Sequence, residues 1–325
     1  MEEFLGYFQA IKGRSAGTIK QYRYDLVFFF RFMLRPLESS TPEDPEWAEI
    51  DLSVVDDKYL SQVKLSDLYA YVSWLAAARD AAPSTRARRI SSLRSFFGYL
   101  TNKANLLEEN IADRLETPKQ IKKLPKHLSL DESRELLTAA ADSDTRYSSR
   151  DYCILTLFLN CGLRLAELCA IDIPNIKEDR ITVMGKGGKE RTIYLNGACI
   201  RALSDYIPKR FPAKKKDKDA LFISRLGTRL QPRAVQNIIK KYIISAGLDP
   251  KRYSTHKLRH TAATLMYQYG EVDIRSLQAI LGHSSVATTE IYTHIDNKQL
   301  HNAVDKNPLN QLTPRKNKNQ SSDTN

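Results

Sequence analysis

The sequence predicts a mainly α-helical protein with one small antiparallel sheet, organised as two domains. Three observations carry that prediction. Apolar residues recur at helical spacing, as over Thr18 to Arg35, where Ile19, Tyr22, Leu26, Phe29, Phe30 and Met33 share one face. One stretch, Arg180 to Leu195, alternates instead, with Ile181, Val183, Ile193 and Leu195 around Gly185-Lys186-Gly187-Gly188, which reads as a β-hairpin with a glycine-rich turn. The 325 residues suit about two domains, and residues 113–128 form a basic, Pro-containing stretch of linker character.

In chain order, the Thr18–Arg35 helix is followed by an acidic segment, Glu38 to Asp57, whose Pro42 and Pro45 mark a loop. Leu65 to Ala78 reads as a second helix with Ser66 as its N-cap. Pro83-Ser84-Thr85 opens a third, running to about Leu100, with Ile90, Leu93, Phe97 and Leu100 as its apolar face. Arg86, Arg88, Arg89 and Arg94 lie mainly off that face. They form either a solvated basic surface or a set of phosphate contacts. These helices make a first domain, 1–112. The linker 113–128 contains Lys122 and Lys123, two further candidates for backbone contact. Ser129 with Glu132 is a capping box that opens the second domain, 129–308. Arg150 to Ala170 is a long apolar helical stretch interrupted at Cys161-Gly162, and helical patterning returns from Pro232 to about Ile295. The tail 309–325 has the composition of a disordered segment, and no solenoid-type repeat is present.

Composition narrows the function. Hydrophobic residues at 42% and charged residues at 27% describe a folded, core-bearing chain. The longest apolar runs, such as Tyr152 to Leu159, fall far short of the ~20 residues that span a bilayer. The Met-Glu-Glu start has no secretory pattern, so a cytoplasmic protein is the expectation, with no membrane partner. Cys153, Cys161, Cys169 and Cys199 have neither metal-ligand nor disulfide-framework spacing and read as small buried hydrophobes. The net charge of +12 and pI near 9.4 point to a polyanionic partner. Residues 1–112 carry 14 bases against 15 acids and the remainder 36 against 23. Eight of the first domain's acids sit in Glu38 to Asp57, so the rest of that domain is basic as well.

Four segments carry the chemistry: Gly162-Leu-Arg-Leu-Ala-Glu-Leu168, Gly185-Lys-Gly-Gly-Lys-Glu-Arg191, His256-Lys-Leu-Arg-His260, and Leu281-Gly-His-Ser-Ser285 followed by Ile291-Tyr-Thr-His294. Arg164, in an otherwise apolar stretch, needs an anionic partner. Glu167, three residues on, meets that need within the protein, and a phosphate meets it from outside. His256 and Arg259 are three apart, on one helical face, and can converge on one phosphate. His260 is read as pointing elsewhere, in a supporting or structural role.

Taken together and in this order, the four segments resemble the tyrosine recombinase (phage integrase) family, and within it the Xer-type site-specific recombinases. The resemblance spans essentially the whole chain. It implies a two-domain clamp, a helical core-binding domain and a catalytic domain, that cleaves and rejoins DNA without metal, ATP or other cofactor. It implies the site set Arg164, Lys186, His256, Arg259, His283 and Tyr292. The chemistry fits those residue types. Attack on a phosphodiester gathers negative charge on the non-bridging oxygens, which the always-charged forks of Arg164 and Arg259 stabilise. His283, before Ser284 and Ser285, sits where a helix start favours an anion. Tyr292, one of 16 tyrosines, takes its role as nucleophile from its place nine residues after His283, and His256 is the candidate to accept its proton. Lys186, with Lys189 as competitor, is the general acid for the departing 5′-oxygen.

The resemblance further implies a 3′-phosphotyrosine and a Holliday junction. The DNA would carry inverted half-sites, and four protomers, all alike or with a paralogous recombinase, would act on two sites. Lys298 to Leu312 would dock into a neighbour. Chromosome or plasmid dimer resolution is the favoured role. Integration of a mobile element, a type IB topoisomerase and a DNA-binding accessory protein with an unused site are the alternatives.

Overall fold

A computed structural model describes residues 1–34, 45–119, 126–185, 188, 190–270 and 272–282. The chain divides into two compact units, Met1–Lys122 and Lys123–Asn325. Among the described residues it is mainly helical with one three-stranded antiparallel sheet, as the sequence predicts.

The first unit contains α1 (Glu2–Ala10), α2 (Ala16–Leu34), α3 (Pro45–Glu49), α4 (Asp57–Gln62), α5 (Leu65–Ala77) and α6 (Pro83–Asn102). Its core is aromatic: Phe4, Phe29, Phe30, Tyr71, Phe96 and Phe97 are all but fully buried. α2 crosses this core with four phenylalanines, Phe28, Phe29, Phe30 and Phe32, and packs on α5 and α6. The acidic segment predicted as loop is partly helical. Trp47 on α3 is buried and stacks on Trp74 of α5, so a tertiary contact folds a stretch whose local sequence opposes structure. Asp56 caps α4 through the Tyr59 N–H. Leu115, near the start of the predicted linker, belongs to this core together with Ala112.

The second unit contains α7 (Leu130–Ala141), α8 (Ser148–Cys161), α9 (Leu165–Ala170), β1 (Ile176–Lys177), β2 (Arg180–Met184), β3 (Glu190–Tyr194), α10 (Gly197–Tyr206), α11 (Pro232–Ser245), α12 (Thr255–Tyr269) and α13 (Ile274–Leu281). The Ser129 capping box forms as predicted, with Ser129 N–H to Glu132 at 2.7 Å and Glu132 N–H to Ser129 Oγ at 3.0 Å. α8 is central. It is buried over Cys153–Leu159 on every side, with α7, α10 and α12 packed around it. Its charged start is paired internally: Arg150 Nε donates to Asp151 at 2.9 Å and Tyr242 donates to the same carboxylate at 3.2 Å. The predicted hairpin is β2–β3, antiparallel, with Ile181 opposite Ile193 and Val183 opposite Arg191. β1 adds a short outer strand. All four cysteines are free and buried, and burial raises the thiol pKa of Cys169 to about 11. No helix among the described residues is long and apolar enough to cross a membrane.

Candidate active site

The site begins at the end of α8. Gly162 closes that helix in the left-handed conformation, with φ 59° and ψ 35°. A side chain there would be strained, and its Cβ would stand 2.8 Å from Leu281 and 3.6 Å from Ala262. The turn therefore brings the α8–α9 junction against both α12 and the end of α13. Arg164 follows as the residue before α9. Its backbone N–H donates to Glu167 Oε2 at 2.7 Å and its Nη1 to Glu167 Oε1 at 2.6 Å, so one carboxylate both caps the helix and fixes the guanidinium.

Arg259, on α12, reaches the same place from another direction. It is 5% exposed. Its Nη1 donates to the Gly162 carbonyl at 2.6 Å and lies 3.8 Å from Glu167 Oε2. A third arginine, Arg191 on β3, donates from Nη2 to Glu167 Oε2 at 2.8 Å. Glu167 thus holds three guanidinia. Burial opposes its ionisation. The hydrogen bonds from Arg191 and Arg164 outweigh burial and hold the carboxyl below its ordinary value.

The same three arginines end α13. The carbonyls of Ile280, Leu281 and Gly282 accept from Arg191 Nη1, Arg259 Nη2 (2.5 Å) and Arg164 Nη2 (2.6 Å) respectively. The last carbonyls of a helix lack intrahelical partners and carry partial negative charge, so cations belong there. Each guanidinium is anchored along one edge. That leaves N–H donors on Arg164, whose side chain is 32% exposed, for an external anion.

His256 lies on α12, one turn before Arg259, and is exposed. Partial burial, reinforced by the charges of Arg259 and Lys257, lowers its pKa, so the ring is neutral near pH 7 and able to take a proton. His260, expected from the sequence to point elsewhere, lies against His256 instead. Its Nε2 is 3.1 Å from Nε2 of His256, with the rings edge to face. The reason is elementary: residues four apart share a helical face as surely as residues three apart.

The arginines of the first unit are placed differently. Arg88 bonds the buried Asp25, which also accepts from Ser92 at 2.8 Å. Arg89 is 7% exposed, donates to the Tyr71 hydroxyl at 2.7 Å and lies 3.7 Å over the Phe28 ring. Arg94 binds the carbonyls of Ala112 and Leu115 at 3.2 and 2.5 Å. These three guanidinia have partners inside the unit, and Arg86 on the same helix is half-buried. Lys186, Lys189, His283, Tyr292, Lys122, Lys123, the Lys298 to Leu312 segment and the tail lie outside the described residues.

Sequence reasoning missed Arg191 as a site residue. A signal was present: Arg191 pairs with the buried Val183 and holds an inward place in the alternation where an apolar side chain belongs. A cation in such a place implies a buried anion.

Comparison with known proteins identifies the family. The profile of the Phage integrase family matches residues 126–299, and that of the phage integrase N-terminal SAM-like domain matches residues 47–104. A tyrosine recombinase XerC of Caldanaerobacter subterraneus subsp. tengcongensis is 52% identical over 96% of this chain and 87% of its own length. Two solved structures share the fold. One is the XerH site-specific recombinase bound to palindromic difH substrate, in a post-cleavage complex, with TM-score 0.66 and 23% identity over 89% of this chain and 79% of that one. The other is the Tn1549 transposon integrase in complex with a circular intermediate DNA, with TM-score 0.69 and 17% identity over 94% and 98%. The chain belongs to the phage integrase family, the tyrosine recombinases.

Proposed function

We propose that the chain is a Xer-type site-specific DNA recombinase, and that Arg164 and Arg259 are its phosphate-stabilising pair. One observation carries this reading: two arginines from separate elements share a buried carboxylate, and α12, which holds Arg259, presents the exposed His256 one turn away. That is a preorganised donor set with a proton acceptor next to it, the arrangement that lowers the barrier to a phosphorane-like state. The 52% relationship to a tyrosine recombinase XerC favours the Xer role over integration of a mobile element.

In the mechanism, the Tyr292 hydroxyl oxygen attacks phosphorus and its proton passes to His256. The bond from phosphorus to the 5′-oxygen breaks, and that oxygen takes a proton from Lys186. Arg164, Arg259 and His283 bind the non-bridging oxygens as charge gathers on them. The 3′-phosphotyrosine keeps the energy of the broken bond, so attack by a second strand's 5′-hydroxyl rejoins DNA and exchanges partners. The first domain, 1–112, and the linker 113–128 bind the duplex with the catalytic domain, 129–308. A cytoplasmic tetramer on two inverted-repeat sites, alone or with a paralogue, completes the exchange.

The test is recombination between two copies of the inverted-repeat duplex that this protein selects from random DNA in vitro, placed on one supercoiled plasmid with EDTA present. Two product circles joined at the sites are the expected result. Relaxation without exchange would overturn the reading in favour of a topoisomerase.

A further inference from the structure

We propose that Arg191 is a positioning residue of the cleavage centre: as counter-ion to Glu167, it leaves Arg164 and Arg259 with surplus positive charge for the scissile phosphate. The inference rests on the reading of those two arginines as phosphate ligands.

Among the described residues the three guanidinia share a single carboxylate, a surplus of two charges. Glu167 is 3% exposed at its side chain, so its charge is poorly screened and falls on whatever cations are near. Arg191 takes the shorter contact to Oε2, 2.8 Å, while Arg259 stands off at 3.8 Å. Without Arg191 the surplus falls to one, and the carboxylate draws on the two arginines needed for phosphate.

Arg191 is also built into the site rather than laid over it. Its side chain is 13% exposed. It donates to the Ile280 carbonyl, and a Cβ on Gly282 would stand 2.8 Å from its Cδ and 3.1 Å from its Nε. Gly282 adopts φ 64°, so glycine there allows both the helix end and the approach of Arg191. Arg191 therefore ties β3, which follows the Lys186 turn in sequence, to the end of α13, which precedes His283. Its Nε is buried with no hydrogen-bond partner among the described residues, which marks a site richer in donors than in protein acceptors.

The test compares Arg191→Gln and Arg191→Lys with wild type in forming a covalent adduct on a nicked suicide duplex of the selected site. Each is run with an ordinary scissile phosphate and with a methylphosphonate, in which methyl replaces a charged oxygen. Rate constants are taken for the reactive fraction, so loss of folded protein lowers the amplitude and not the rate. Arg191→Gln is expected to slow cleavage of the phosphate by about 30-fold and of the methylphosphonate by no more than about threefold, because a neutral linkage asks less of the surplus charge. Arg191→Lys, which keeps the charge, is expected to stay within about fivefold of wild type on both. Equal slowing on the two linkages would make Arg191 a scaffold residue only, and no slowing would remove it from the site. Either result overturns the proposal. A wild-type protein that forms no adduct, or an adduct that persists in Tyr292→Phe, would instead defeat the recombinase reading beneath it.

Discussion

Both units set arginines against a buried acid, with opposite consequences. In the first, Asp25 takes Arg88 and two neutral donors, Ser92 and Gln21, and Arg89 lies between a tyrosine hydroxyl and a phenylalanine face. Charge there is matched one to one, set against aromatic rings or, at Arg94, bound to two backbone carbonyls. In the second, among the described residues, one carboxylate serves three arginines, which also bond backbone carbonyls at the ends of two helices. The first arrangement holds a core together. The second stores a surplus of positive charge beside a turn that keeps Arg164 a third open. Under the proposed reading, local charge balance is what separates a structural arginine from a phosphate-binding one, and neither burial nor basic composition reports it.

The contrast between the units is sharpest at Arg259. Arg259→Ala should slow adduct formation on the suicide duplex by about 10³-fold while DNA affinity, read by electrophoretic shift, changes by less than about tenfold. A proportionate loss of affinity would mean that Arg259 holds DNA without favouring the transition state.

Glu167→Gln comes next. It leaves three guanidinia without an anion and should cost about 3 kcal/mol of stability by urea unfolding at pH 7. Because the folded pKa of Glu167 is lowered, its stabilisation is fully present above the ordinary carboxylate value and is lost as pH falls through the lowered one. The gap between wild type and Glu167→Gln should therefore close in acid and stay open at neutrality.

Arg89→Met sharpens the contrast from the other side. It removes a buried hydrogen bond and the contact with Phe28, and should cost about 2 kcal/mol of stability. The cleavage constant at saturating DNA should stay within about twofold of wild type. A large loss of chemistry would show that the first unit's arginines are not confined to its core.

The smallest expected effect is on pH dependence. His256 accepts a proton only when neutral, and its pKa is lowered by burial and by Arg259. Cleavage should hold as pH falls through the ordinary imidazole value of about 6.5 and decline only below it. A decline already centred above that value would assign the proton acceptor elsewhere.

Much of this was legible in the sequence because the signals were local. The Ser129–Glu132 capping box, the alternation across β2 and β3, and Gly162 as the break before Arg164 each depend on neighbours a few residues away. Trp47 was hidden because its partner, Trp74, is distant in sequence, so a Pro- and acid-rich stretch read as pure loop. The α6 arginines were ambiguous for the same reason: Asp25, Tyr71 and Ala112 lie on other elements. His260 was misplaced by too strict a reading of helical phase. Arg191 was overlooked because a basic residue near a lysine-rich turn looks solvated, although its register opposite Val183 places it inward.

The surplus charge in the second unit is proposed to serve covalent chemistry at Tyr292. The most direct test is to trap the adduct. Wild type, Tyr292→Phe and Arg164→Ala would each be incubated in EDTA with the nicked suicide duplex of the selected site. A detergent-resistant adduct should form with wild type, vanish in Tyr292→Phe, fall at least about 100-fold in Arg164→Ala, and map by peptide mass to the tyrosine of Ile291-Tyr292-Thr293. An adduct that survives Tyr292→Phe, or one that is indifferent to Arg164, would contradict the account.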